Sequence, residues 1–401
     1  MKKCFLVWFS LVTLTFTACR EEFDIRNFGA STDAQAADNR VAIQQAIDEA
    51  SMKGGGTVIV PEGIWNTGTL QLKSHVELHL CPGAVIRGSL SQADYNPNDC
   101  FAENFWSDAE EWSGGHLIMA HQVEDIAITG SGIIDGRGSA FFDECGEDSR
   151  FPWYKYGLKL NPIDRKWFRP GPMVAIFESK DIRLQGVTLK DTPCWTAHFR
   201  CCDGLDIRKV TIDADRTIAN SDGFSIDCTR NVLVEDCTIF TGDDSFAIRA
   251  SCEKHADENP CENITIRNCD VWSCCMGIRF GVGSGTIQHV VVEDCRFHES
   301  AIGINFTPAW IATKKNVYIQ DVRIARCCIT ECHRGFDAEM PQADARVSDV
   351  LVEDCQVEAL CPNRLVGNEY SYPERFAFRR CTYHRIPREK VRQNLWWLEQ
   401  N

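Results

Sequence analysis

Two short acidic segments carry the residues best suited to chemistry, Asn220-Ser221-Asp222-Gly223 and Thr241-Gly242-Asp243-Asp244-Ser245. Asp222 and Asp243 are 21 residues apart, close to one repeat of the chain, so three carboxylates are expected to converge from neighbouring turns of one face. Hydrolysing a glycosidic bond needs such a set: one protonated acid at the leaving oxygen, and one or two ionised carboxylates holding water on the other side. Crowding raises the pKa of one of them, which supplies the proton donor. The spacing alone leaves a calcium site or ordinary turn aspartates equally open, because Asp-Gly and Gly-Asp also mark turns.

The elements that must position these acids repeat. From about residue 125 a phrase of alternating apolar and polar residues ending in a small apolar residue or Cys recurs, as in Val234-Glu235-Asp236-Cys237, Ile266-Arg267-Asn268-Cys269, Val292-Glu293-Asp294-Cys295 and Val352-Glu353-Asp354-Cys355. Anchor positions at 187, 210, 237, 269, 295, 328, 355 and 381 give steps of 23 to 33 residues. Such steps, with β-branched strands between them, predict an all-β solenoid of short parallel strands, one coil per repeat. Upstream, Asp38 to Met52 sets Val41, Ala42, Ala46, Ile47 and Ala50 on a helical stripe, with Asp38 or Asn39 as N-cap and Gly54-Gly55-Gly56 as stop. That helix is expected to cover the open end of the stack, and residues 19–401 to form a single domain.

Composition narrows the partners. The chain is 44% hydrophobic and 25% charged, with 42 Lys and Arg against 57 Asp and Glu and a formal charge of −15; no basic run follows a phosphate backbone, which argues against nucleic acid. Residues 1–18 read as an export signal: Met1-Lys2-Lys3, then an apolar run from Phe5 to Phe16 too short to anchor in a bilayer. Phe16-Thr17-Ala18-Cys19 resembles a bacterial lipobox, so the expectation is an exported chain, periplasmic or at the cell surface, touching membrane only through a lipid on Cys19. A plain signal peptide is the alternative.

The 22 cysteines suggest disulfides in an oxidising compartment. However, anchor cysteines stacked in register have Cβ atoms about 4.8 Å apart and parallel, which disfavours bridging. A buried column of free thiols is the expectation, with a loop disulfide between Cys252 and Cys261 and a metal site at Cys327, Cys328, Cys332 and His333 as side alternatives.

Several ordered motifs resemble glycoside hydrolase family 28, the polygalacturonase-like enzymes, from about Phe23 to Cys381. Asp24-Ile25-Arg26-Asn27-Phe28-Gly29-Ala30, Ile128-Thr129-Gly130-Ser131-Gly132-Ile133-Ile134-Asp135-Gly136 and Thr192-Pro193-Cys194-Trp195-Thr196-Ala197-His198 resemble family signatures, Asn220-Ser221-Asp222-Gly223 is similar to its Asn-Thr-Asp-Gly, and Gly242-Asp243-Asp244 to its Gly-Asp-Asp. The resemblance implies a right-handed parallel β-helix with an N-terminal capping helix. It implies Asp243 as general acid, with Asp222 and Asp244 activating water in an inverting displacement, and no metal or organic cofactor.

Departures from the family pattern shape the expected substrate. The family's Gly-His-Gly falls on Cys275-Met276-Gly277, and its Arg-Ile-Lys on Asn305-Phe306-Thr307. Without those cations a subsite no longer compensates the desolvation of a uronate carboxylate, so the −1 subsite is expected to be altered away from galacturonate, towards a neutral sugar such as rhamnose or galactose. Asn220, Arg249, Arg279, Asn305, Thr307 and Trp310 are the candidate substrate-binding residues, with surface ion pairs as the alternative for the two arginines. Trp195, Phe224, Phe280 and Phe306 suit either sugar stacking or coil packing. A monomeric hydrolase of pectic or related plant polysaccharide is expected; the rivals are a non-catalytic glycan-binding β-helix protein and a polysaccharide lyase or epimerase.

Overall fold

A computed structural model describes residues 20–99, 113–142, 168–251, 260–309, 317–340 and 345–392. The leader with Cys19, residues 252–259 with Cys252, and Trp310 lie outside the described residues. Helix α1, Ala36–Met52, precedes a stack of short strands, all paired in parallel. One sheet holds 12 strands in chain order. A single inward-facing row illustrates its register: Val58, Leu78, Ile128, Leu184, Ile207, Val234, Ile266, Val292, Ile324 and Val352 each sit beside the next. Each strand buries alternate residues, as in Arg230–Glu235 and Thr286–Glu293, because successive side chains point to opposite faces. The other strands form two further walls of the same coils, joined by the long strand Cys328–Glu339. This is the parallel β-helix that the repeat predicts.

The helix covers the stack as expected, with two corrections. It starts at Ala36 with Gln35 as cap, ahead of the predicted Asp38 or Asn39. Asn39 instead turns inward, and its side chain exchanges hydrogen bonds of 2.9 Å with the backbone of Ser31, tying the preceding turn to the helix. Val41 leaves the apolar stripe and is half exposed, while Ala42, Ile43, Ala46, Ile47 and Ala50 are buried.

The cysteine column is present. Val187, Val210, Cys237, Cys269, Cys295, Cys327, Cys355 and Cys381 precede strand residues that are paired in register. The anchor on the sixth coil is therefore Cys327; Cys328 is the first residue of the following strand and faces partly outward. The column thiols are unbridged, each donating to the carbonyl two residues earlier at 3.3 or 3.4 Å. Cys261 is likewise a buried thiol at the start of a strand; Cys252, its partner in the expected loop disulfide, lies outside the described residues. The alternative metal site fails as well: His333 turns to Cys361, 3.4 Å from its Nε2.

Candidate active site

The acidic segments occupy the turns leading into two adjacent strands, Phe224–Asp227 and Phe246–Ala250, which pair with Phe224 beside Phe246. Neighbouring backbone bonds lock the turns together: Gly223 N–H donates to Asp244 O at 2.8 Å, and Thr196 N–H to Asp222 O at 2.8 Å. The small residues are sterically required. A Cβ on Gly223 would lie 2.3 Å from Ser245 O, and one on Gly242 would lie 2.5 Å from Ser221 Oγ. Hydroxyls then satisfy the buried backbone. Ser221 Oγ accepts from Gly242 N–H at 3.0 Å, and the Thr241 and Ser273 hydroxyls donate to Asp243 O at 2.8 and 2.6 Å. Asn220 adopts a left-handed φ of 53°, a conformation Asn tolerates.

The predicted trio thus comes together on one wall, and its electrostatics are asymmetric. Arg249 Nη2 lies 2.9 Å from Asp222 Oδ2, and Arg279 Nε lies 2.9 Å from Asp244 Oδ2. Arg249 is buried and the Arg279 side chain is only 11% exposed, so neither forms the surface ion pair considered for it. Arg249 also stacks on Trp195, its Cζ 4.0 Å from the ring centre. Asp222 and Asp244 are 2% and 1% exposed, whereas Asp243 reaches 8% and is the most solvent-facing of the three. Burial pushes the Asp244 carboxyl up to about 6; the Arg279 charge opposes this and the Asp243 charge adds to it.

Other candidates fall differently. Asn305 stands beside Arg279 in the next coil, but both ends of its amide are engaged: Nδ2 lies 3.4 Å from Asp337 Oδ2, and Oδ1 accepts from the Thr307 hydroxyl. Trp195, Phe224, Phe280 and Phe306 are all core, the last two stacked at 5.0 Å between ring centres, so packing is their role. Met276 is buried beside Cys275 and Ile302, and its carbonyl accepts from Ser245 N–H at 2.9 Å. The position where the family carries an imidazole therefore contributes a backbone contact and apolar packing.

Three contributors escaped the sequence reading. Arg169 donates to Ala219 O at 2.6 Å and to Pro193 O at 2.9 Å, clamping the turn that carries Asn220; its Arg-Pro-Gly-Pro context marks a rigid loop but not its target. Asp227 lies behind the site, 3.5 Å from His198 Nε2 and 2.7 Å from Ser251 N. Burial opposes its ionisation, but His198 and Arg200 more than offset this and hold the carboxyl below its usual range, while burial lowers His198 to about 4. Cys275 places its thiol beside Asp243 and Asp244, with the ligand atoms of all three within 4.8 Å of one another.

The family model described as glycosyl hydrolases family 28 matches residues 100–317. A probable polygalacturonase of Vitis vinifera is 29% identical over 310 residues, covering 74% of this chain and 58% of its own length. An endo-polygalacturonase of Pectobacterium parmentieri is 25% identical over 245 residues, covering 60% and 57%. The chain thus spans under three fifths of the length of these curated relatives. Among solved structures, an exopolygalacturonase from Thermotoga maritima superposes with a TM-score of 0.70 at 20% identity, over 91% of this chain and 92% of that one. A polygalacturonase from Erwinia carotovora ssp. carotovora gives 0.69 at 19% identity, over 94% and 97%. Those two share the fold. With a family model matched over more than half of its residues and the acidic motifs placed on adjacent coils, this chain belongs to glycosyl hydrolases family 28.

Proposed function

We propose that this chain is an inverting glycoside hydrolase of pectic or related plant polysaccharide, with a −1 subsite that takes a neutral sugar in place of galacturonate. The observation that carries the reading is the unequal pairing of the carboxylates: Asp222 and Asp244 are each held by an arginine at 2.9 Å, and Asp243 is the most solvent-facing of the three. An arginine favours the ionised form of its partner, and Asp244, although burial raises it to about 6, ionises above that pH, as activation of a water demands. Asp243, the most solvent-facing of the three and the family's general acid by its Gly-Asp-Asp motif, is the group to deliver a proton to the leaving oxygen. The arginines that serve the acids have their charge engaged there, so neither is a fork for a substrate carboxylate. Asn305, bound to Asp337 and Thr307, and Thr307 itself carry no charge, so these two positions do not compensate a uronate. The chain is also read as exported and tethered through Cys19, which loss of membrane partition in Cys19→Ala would test.

The deciding experiment is a panel of rhamnogalacturonan fragments and oligogalacturonides incubated with the parent and with Asp243→Asn, following the anomeric configuration of the product by NMR. The expected outcome is cleavage of a neutral-sugar linkage with initial inversion, and a loss of about 10²–10⁴-fold in the variant. Preferred cleavage of oligogalacturonides would contradict the subsite assignment, and equal rates in both proteins would remove Asp243 from its role.

A further inference from the structure

Cys275 stands beside two of the carboxylates, and hydrolysis does not require its side chain. It follows the strand Asp270–Ser273, is 3% exposed, and is fixed by a 2.9 Å bond from its N–H to Ser273 Oγ. Its sulfur and one oxygen each from Asp243 and Asp244 lie within 4.8 Å of one another. A four-coordinate zinc ion holds sulfur at about 2.3 Å and oxygen at about 2.0–2.2 Å, so drawing these three atoms onto one ion takes at most ~1.5 Å of side-chain movement. Independently, Asp244 Oδ1 is sealed from solvent and receives no hydrogen bond. A buried acceptor left unserved is costly, and a cation would satisfy it.

We propose that Asp243, Asp244 and Cys275 form a binding site for a thiophilic divalent cation, Zn²⁺ or Cd²⁺, and that filling it shuts off hydrolysis. The thiolate ligand selects against Ca²⁺ and Mg²⁺, which prefer all-oxygen shells. Binding through the thiolate exchanges the S–H proton for a metal–sulfur bond: M²⁺ and the S–H give M–S and H⁺, with no change of oxidation state. Any proton held by the carboxylate pair leaves as well. The inhibitory consequence rests on the reading of Asp243 and Asp244 given above, because carboxylates that ligate a metal can neither protonate a leaving oxygen nor hold a water.

The test has two arms. In the first, Zn²⁺ is titrated by calorimetry into the full chain after EDTA treatment, in two buffers of different ionisation enthalpy, with Cys275→Ser, Asp243→Asn and the column variant Cys295→Ser alongside. The parent and Cys295→Ser are expected to bind one more ion than Cys275→Ser and Asp243→Asn, to release at least one proton on doing so, and to be unaffected by Ca²⁺. Equal stoichiometry in the parent and Cys275→Ser, or competition by Ca²⁺, overturns the site. In the second arm, Zn²⁺ is expected to inhibit the parent reversibly, with recovery on adding EDTA, and to leave the rate of Cys275→Ser at its own metal-free value. Binding that is lost in Cys275→Ser but does not inhibit the parent would keep the site and refute Asp243 and Asp244 as the hydrolytic acids.

Discussion

Two columns of the same coil stack bury opposite chemistry. On one corner, six cysteines from Cys237 to Cys381 repeat a single solution: an apolar thiol, its hydrogen donated to a nearby carbonyl, handed on to the next coil. On the wall where Phe224–Asp227 and Phe246–Ala250 run, adjacent coils instead bury charges, Asp222 with Arg249 and Asp244 with Arg279. The first column would be stable at almost any coil, since each member is satisfied by its own backbone. The second is stable only as a set, because removing one partner strands a charge in a place water does not reach. Repetition builds the scaffold; the departure from repetition marks the place where chemistry is done.

That contrast can be broken by substitution. Arg249→Ala and Arg279→Ala should each cost about 3–5 kcal/mol in denaturant unfolding, since the partner carboxylate is left buried and uncompensated. A loss below about 1 kcal/mol would mean the pair is open to water in solution. Next in size is the pH dependence of hydrolysis. Asp244 must be ionised to activate water, and burial raises its carboxyl from the usual 3.8 to about 6. The limb set by Asp244 should therefore fall about tenfold per pH unit below about 6. In Arg279→Gln, which removes a charge favouring the ionised form, the acid limb should move to higher pH; an unmoved limb in a kcat/KM profile would detach Asp244 from the base role. Smallest is the thiol column: Cys295→Ala should cost only about 1–2 kcal/mol, the scale of a small deletion in a packed core. The five buried column thiols, Cys237, Cys269, Cys295, Cys327 and Cys355, should react with a disulfide reagent only after unfolding, and rapid labelling of any of them in the native protein, located by peptide mapping, would contradict that burial.

Much of the scaffold was legible because strand alternation and coil length are local properties of the chain. The repeated phrase predicted parallel coils, and the distance between Asp222 and Asp243 predicted a meeting on one face. The reading slipped where two adjacent residues competed for one place. Cys327 and Cys328 both fit the phrase, and only the pairing of Arg296 with Cys328 shows that Cys327 is the inward anchor. The helix start slipped for a similar reason, since a good capping side chain at Asn39 was used for a different bond.

By itself, the sequence determined the coil, the carboxylates and the absence of the family's cations at Asn305 and Thr307. Only the tertiary structure decided what faces those carboxylates. Arg279 and Cys275 flank Met276 in the chain, yet they are the ones beside Asp244, while Met276 packs into an apolar corner. The reason is physical: a period of two states which residues share a face of one strand, but partners across coils depend on how many residues each intervening turn consumes and on which way its end residues point. The pairing of charges is a property of the register between coils, which no single stretch of sequence contains.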